Sequence, residues 1–299
     1  MKALIIGLGS IGLRHRRILK KIKKISQIKF FSKHKYNDKN NLKSRKEILK
    51  YNPDYIVICS ATHEHITDLK FLEKNFKNKM ILIEKPLFHK YINYNVKNNK
   101  VFVGYNLRYH PLIQFIKEIC GRKKIWSINI LCGSYLPEWR KNVNYKNSYS
   151  AKQNSGGVLL DLSHELDYIS YLFGNWKPLF AVSKKISNLD IKSDDYLSLF
   201  ATNNNNLKIY LELNYFTRIP KRQIFIDSKN LSLKIDLLKN EAIIIKDKII
   251  SKKIKKFKID EMYEAQHIDI INKKFKFACN YNDGIKIMKK IDKIRDLKH

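Results

Sequence analysis

Residues 2–12 read KALIIGLGSIG. Lys2–Gly7 is a short, β-rich apolar run ending in glycine. Residues 10–23 continue with helical spacing, placing Ile11, Ile18, Leu19 and Ile22 on one side. Gly7, Gly9 and Gly12 therefore stand between a predicted strand and a predicted helix. In such a loop the first glycine permits the tight turn and the second lets backbone approach a pyrophosphate. The third lets helix and strand pack closely. The helix start then offers unsatisfied N–H groups and the positive end of its dipole to phosphate. A glycine turn can also serve packing alone. Its place at the head of a strand–helix alternation favours dinucleotide binding, with Gly7, Gly9, Ser10, Ile11 and Gly12 forming the loop.

The alternation extends outward from that loop. Ile28–Ser32 reads as a second strand. Tyr55–Ser60 (YIVICS) is continuously apolar, as expected of a strand buried on both faces. Helical spacing returns over 65–75, MILIEKP gives a strand ending at Pro86, Lys100–Tyr105 gives another, and 111–120 suggests a helix. This predicts an N-terminal Rossmann domain, a doubly wound parallel α/β sheet, over residues 1–120. From residue 125 the strands follow one another: Trp126–Cys132, Phe180–Lys185, Tyr196–Thr202, Leu207–Tyr215, Gln223–Asp227, Leu231–Asp236 and Ala242–Ile245. Helices near 161–173, 259–277 and 283–295 bracket them. Residues 121–299 are therefore expected to form an α+β domain with an open, mainly antiparallel sheet.

Composition narrows the function classes. Of 299 residues, 44% are hydrophobic and 12% aromatic, which fits a folded globular chain. The net charge of +33 raises nucleic acid as a partner. However, the lysines are spread over nearly every segment, with no basic helix, zinc module or aromatic RNA-binding motif beside them. No nucleic-acid partner is expected, and the charge reads as a solvated surface favourable to acidic substrates. Cys59, Cys120, Cys132 and Cys279 lie far apart without metal-ligand spacing, so reduced thiols in a cytoplasmic protein and no metal are expected. The N-terminal apolar stretch is interrupted by Arg14, His15, Arg16 and Arg17 and has no small-residue cleavage site. No apolar run reaches the ~18 residues of a membrane span.

Choice of dinucleotide turns on the end of the second strand, where an NAD-binding domain usually places an acid for the ribose hydroxyls. Here the strand runs into Ser32, Lys33, His34 and Lys35, with no acid before Asp38. A hydroxyl followed by cations suits a 2′-phosphate. NADP(H) is therefore favoured, with NAD(H) the alternative and Ser32 and Lys33 the candidate contacts.

Several further motifs occur in one order: GLGSIGLRH at the start, SATHEH at 60–65, EKP at 84–86, VGYNLRYHP at 103–111, GGVLLDLSHELD at 156–167 and ELNYFTRIPKR at 212–222. Together they resemble the Gfo/Idh/MocA oxidoreductases, dehydrogenases and reductases of sugars, inositols and nucleotide sugars, across nearly the whole chain. The resemblance implies hydride transfer between a nicotinamide and a carbinol carbon of a sugar. It also implies an open C-terminal sheet that makes a homo-oligomer interface. By position it implies Ser60, Thr62 and His65 along the cofactor, Glu84 and Lys85 beside the nicotinamide, and Asn106 and Arg108 reaching cofactor or substrate. Asp161 and His164 would be the acid–base pair opposite Lys85.

Elementary chemistry agrees with that assignment. Oxidising an alcohol removes the hydroxyl proton as hydride leaves carbon, and a histidine titrating near neutrality can take it. Lys85 stands between an acid and a proline at the end of a buried strand, where open α/β sheets bind ligands, and can bond the same oxygen. Residues 133–157 are rich in Tyr, Trp, Arg and Asn without periodicity, which suits a sugar-binding loop as well as a surface excursion. Trp139, Arg140, Tyr145 and Tyr149 are its candidate substrate contacts, with Arg108, Asp161 and His164. The LPEWR-type loop resembles family members that make surface polysaccharides, so a nucleotide-activated or acidic sugar is the favoured substrate. Inositol or another carbonyl compound, or a non-catalytic dinucleotide-binding regulator, are the alternatives.

One departure bears on the site. The family pattern places three residues between the helix Asp and His, whereas here only Leu162 and Ser163 intervene. In an ideal helix that slip rotates Asp161 by about 100° relative to His164. Asp161 then keeps its role only if the helix start readjusts, and it reads equally as an N-cap.

Overall fold

A computed structural model describes every residue except His34, Lys35, Arg122, Lys141, Asn142, Asn154, Lys298 and His299. Two of the cations expected after the second strand, His34 and Lys35, thus lie outside the described residues. The chain opens as β1 (Lys2–Ile6), α1 (Ser10–Leu19), β2 (Gln27–Phe31), β3 (Asn41–Leu42), α2 (Arg45–Tyr51), β4 (Tyr55–Ile58), α3 (His65–Asn75), β5 (Met80–Ile83) and β6 (Lys100–Val103). These six strands are all parallel, in the order β6-β5-β4-β1-β2-β3. Every residue of β4 and β5 is buried. A strand covered on both faces has no polar side to show, hence the unbroken apolar runs. The order reverses between β1 and β4, so the turns after these two strands flank the crevice where open α/β sheets bind ligands.

The chain continues with α4 (Pro111–Cys120), β7 (Ile125–Gly133), α5 (Val158–Asp161), α6 (His164–Phe173) and β8 (Trp176–Lys184). It then runs through β9 (Tyr196–Asn203), β10 (Lys208–Asn214), β11 (Lys221–Ser228), β12 (Leu231–Asp236), β13 (Glu241–Lys246) and β14 (Ile249–Ile254). Strands β7–β14 form one sheet, ordered β14-β13-β12-β11-β7-β10-β9-β8, antiparallel except for the β7–β10 pair. One face is apolar and buried, carrying Ile128, Ile130, Leu211, Leu213, Ile224 and Ile226. Their period of two is the signature of a sheet covered on one side.

The last segments are α7 (Ile259–Ile271), β15 (Cys279–Asn280) and α8 (Tyr281–Asp296). Here the structure differs from the sequence reading, which set these helices beside the antiparallel sheet. Lys258–Met288 packs instead with Met1–Tyr109 as one compact unit, and β15 adds to the free edge of β6 as an antiparallel strand. The reason is apolar: Ile270 and Ile271 of α7 complete the core made by Ala3, Ile5, Phe30, Tyr55 and Val57. His110–Phe257 and the chain from Lys289 onward form the second unit.

Strand β14 carries no sequence signal because it buries almost nothing; Ile249 and Ile250 are 71% and 72% exposed. Among the described residues no helix is long and apolar enough to cross a membrane.

Ile130 is fully buried in the second sheet. Ile130→Ala should lower stability by about 2–5 kcal/mol, read as a shift in the urea midpoint; a shift under about 0.5 kcal/mol would contradict this core.

Candidate nucleotide and acid–base sites

The turn after β1 has the form a dinucleotide needs. Gly7 has φ +90°, and a Cβ on it would stand 2.5 Å from the Cys59 carbonyl oxygen and the Ser60 nitrogen. A Cβ at Gly12 would run into the Gly7 carbonyl. Gly9 is different: nothing lies within 4 Å of the place its Cβ would take. Two glycines thus serve packing, while the middle one leaves backbone open to solvent. Gly9 also caps α1 without any side-chain hydrogen bond, and no acid stands in the first turn. The helix start, with exposed Ser10 and half-buried Ile11, keeps its N–H groups and its dipole for an anion. These residues fit a bound pyrophosphate.

The expected flanking contacts fall into two groups. Ser60 and Thr62 follow β4, with the Ser60 backbone against Gly7. The Ser60 hydroxyl donates to Asp68 Oδ2 at 2.7 Å, and burial pushes the Asp68 carboxyl upward. His65 is 1% exposed, with its ring nitrogens 3.0 and 3.1 Å from the Ser60 and Leu87 carbonyls. Burial lowers its pKa, and the neutral ring, with one N–H, donates to one of these two carbonyls at a time. Ser32 and Lys33 follow β2, with the Lys33 ammonium against the Glu64 carboxylate. The first acid beyond them, Asp38, accepts from the Asn40 backbone N–H at 2.8 Å and from Arg16 Nη2 at 2.6 Å. Those two donors hold its carboxyl down at about 2.

Glu84 and Lys85 come directly after β5. Glu84 is 8% exposed and Lys85 half-buried. The buried Asn106 bonds the Tyr263 hydroxyl, and the buried Arg108 guanidinium lies 3.3 Å from Asp283.

In the second unit the stretch GGVLLDLSHELD does not make one helix. α5 ends at Asp161, Leu162 takes φ −99° and ψ 26°, and α6 begins at His164. The two residues stand on separate helices, so the rotation worked out for one unbroken helix does not apply. Nor is Asp161 an N-cap: Ser163 occupies that position, and the Asp161 N–H bonds within α5 to Gly157. Gly157, with φ +100°, starts α5 where a side chain would strike Asp194, whose carboxylate accepts the Leu159 N–H at 3.1 Å.

Asp161 is 4% exposed and accepts the Tyr215 hydroxyl at 2.6 Å. The Tyr149 phenol lies within electrostatic reach of the same carboxylate. Burial first, then Asp161, pushes the Tyr215 phenol well up; for Tyr149 the Asp161 charge is the larger cause. Both therefore remain hydroxyl donors. Trp139 packs edge-on against the Tyr215 ring at 5.1 Å, donating its indole N–H to Ser134, and the Arg140 guanidinium lies over Tyr149 at 5.3 Å. Three of the loop residues singled out in the sequence thus gather around the Asp161 carboxylate. Tyr145 does not share that contact; its hydroxyl accepts the Asp190 N–H at 3.3 Å.

Tyr215 escaped the sequence reading. Its only signal was a tyrosine closing the apolar run ELNY, and an apolar strand end gives no hint of a hydroxyl partner 54 residues away. Glu165, beside the half-buried His164, is fully buried and gripped twice by Arg222, at 2.7 and 3.1 Å. This fork holds the first turn of α6 to β11.

No protein-family model and no curated protein matches the chain. Solved structures do. UDP-N-acetylglucosamine 3-dehydrogenase GnnA from Acidithiobacillus ferrooxidans aligns with a TM-score of 0.80 at 17% identity, covering 100% of this chain and 97% of its own. Levoglucosan dehydrogenase in complex with NADH gives 0.82 at 14%, covering 99% and 96%. The WlbA dehydrogenase from Bordetella pertussis, in complex with NADH and UDP-GlcNAcA, gives 0.76 at 13%, covering 99% and 97%.

Tyr215→Phe would leave the buried Asp161 carboxylate one donor short, at a cost of about 1–3 kcal/mol. Urea unfolding of the variant measures it, and unchanged stability would show that this bond is not formed.

From end to end the chain has the fold of these dehydrogenases.

Proposed function

We propose that the chain is a member of the Gfo/Idh/MocA family, an NAD(P)-dependent oxidoreductase acting on a carbinol or keto carbon of a sugar. A nucleotide-activated or acidic sugar is the favoured substrate. The observation that carries this reading is the open backbone at Gly9, set between two glycines that tolerate no side chain, at the uncapped start of α1. Two of the similar structures add to it, since GnnA is a UDP-N-acetylglucosamine 3-dehydrogenase and WlbA holds UDP-GlcNAcA.

Bound at that loop, the nicotinamide cofactor supplies the hydride chemistry. The chain's own residues handle the proton. His164 is the acid–base group, its helix start fixed by the Glu165–Arg222 fork. Lys85 bonds the reacting oxygen. Asp161 is held by the Tyr215 phenol and orients the substrate hydroxyl, with Trp139, Arg140 and Tyr149 around it. Tyr145 and Arg108 are assigned to the substrate and Asn106 to the cofactor.

NADP(H) is the favoured cofactor. Both oxygens of Asp38, the first acid after β2, are committed to Arg16 and Asn40 and are not open to ribose hydroxyls. The exposed Lys33–Glu64 pair is of the kind worth little in water, so the ammonium is free to exchange onto a 2′-phosphate. A homo-oligomer through the second sheet is supported by a cross-strand row on its uncovered face, Phe180–Phe200–Tyr210, with Phe180 and Tyr210 47% and 49% exposed. Four buried cysteines, none in a disulfide, accord with the cytoplasm.

Turnover of NADPH or NADP⁺ against a panel of nucleotide sugars and inositols tests the reading. Lys85→Ala and His164→Ala should each lose about 10²–10⁴-fold in kcat and keep cofactor affinity. Full activity in both would sink the mechanism. In fluorescence titrations at moderate salt, NADPH should bind more tightly than NADH; the opposite order would overturn the NADP preference.

A further inference from the structure

Tyr55, His267, His15 and Glu84 form an unbroken chain of hydrogen bonds inside the first unit. The Tyr55 hydroxyl lies 2.7 Å from His267 Nδ1, His267 Nε2 lies 2.8 Å from His15 Nδ1, and His15 Nε2 lies 2.8 Å from Glu84 Oε1. The four residues come from β4, α7, α1 and the turn after β5. Tyr55 and both imidazoles are completely buried.

The chain has a direction. A neutral imidazole has one N–H and one lone pair. Among the described residues the Tyr55 hydroxyl has no other bond, so its proton has only His267 Nδ1 to go to. That makes His267 Nε2 the N–H, His15 Nδ1 the acceptor, and His15 Nε2–H the donor to Glu84. Each proton is used once, and the chain ends on a carboxylate that needs none. Any reversed arrangement, a protonated His15 included, puts the His267 proton on Nδ1, facing a hydroxyl proton with no acceptor. Burial, with His15 adding to it, holds His267 well below the usual imidazole range, and burial holds Tyr55 well above the phenol range. Both directions favour the neutral ring and the intact hydroxyl.

We propose that His267 and His15 are positioning residues that hold the Glu84 carboxylate in one orientation, with Tyr55 setting the direction of the chain. The consequence for cofactor rests on the function proposed above: a fixed anion beside the nicotinamide binds its oxidised, positively charged ring better than its reduced one.

Two measurements on the full chain test this. In ¹⁵N-histidine spectra of the cofactor-free protein, assigned with His15→Asn and His267→Gln, both rings should be neutral with the proton on Nε2. A proton on Nδ1 or a charged ring at either position overturns the proposal, the two assignment variants being checked for folding by their thermal melts. His267→Phe, checked for folding by its thermal melt, should raise Kd(NADP⁺)/Kd(NADPH) by roughly 5-fold. His267→Gln offers both a carbonyl for Tyr55 and an N–H for His15, and should restore the wild-type ratio. An unchanged ratio in folded His267→Phe overturns the positioning role. Failure of the wild-type protein to bind either cofactor would instead sink the dinucleotide reading, leaving the tautomers to decide the chain.

Discussion

No side chain fits where the turn after β1 meets the end of β4. Gly7 abuts the backbone of Cys59 and Ser60, and Gly12 abuts Gly7 itself. Because β1 pairs directly with β4, this contact sets the spacing at the centre of the parallel sheet. It also brings the start of α1 down onto the crevice at which the strand order reverses. The same closeness that forbids a Cβ at two glycines leaves the third exposed. Packing constraint and ligand access are here one arrangement of backbone.

Around that centre the first unit buries an unusual amount of polar chemistry. Two imidazoles, a phenol and a carboxylate share three short hydrogen bonds. An unsatisfied polar group in such a place costs about 1–3 kcal/mol, so a chain of this kind is tolerable only when every proton has an acceptor. The second unit solves a similar problem with different residues. Its buried Asp161 accepts the Tyr215 phenol, and its buried Glu165 accepts a bidentate guanidinium. In both units the buried carboxylates are held by fixed donors, which gives them a defined orientation without solvent.

Legibility in the sequence followed burial symmetry. Strands buried on both faces, such as Tyr55–Ile58, and strands buried on one, such as Lys208–Asn214, announced themselves as continuous or alternating apolar runs. Helices α3 and α4 lay at the residues their spacing indicated. β14, with almost no buried side chain, gave no period to read. The stretch around Asp161 and His164 was legible as chemistry and illegible as shape. Its spacing argued for a rotated aspartate, because an unbroken helix was assumed. The break at Leu162 and Ser163 comes from packing on both sides: Asp194 anchors the start of α5, and Arg222 anchors Glu165 on α6.

By itself the sequence determined the order of elements, the glycine loop at the head of the parallel sheet, and the change to an antiparallel sheet. These depend on local periodicity and on residues a few positions apart, which a linear reading can see. Only the tertiary structure decided which unit received α7, that Tyr215 and Tyr149 converge on Asp161, and that His15 and His267 stand in line with Glu84. They depend on contacts between residues up to 252 positions apart, apolar for α7 and mainly interior hydrogen bonds for the others. Such bonds are fixed by geometry and by the cost of leaving a buried proton without an acceptor, neither of which has a period in the chain.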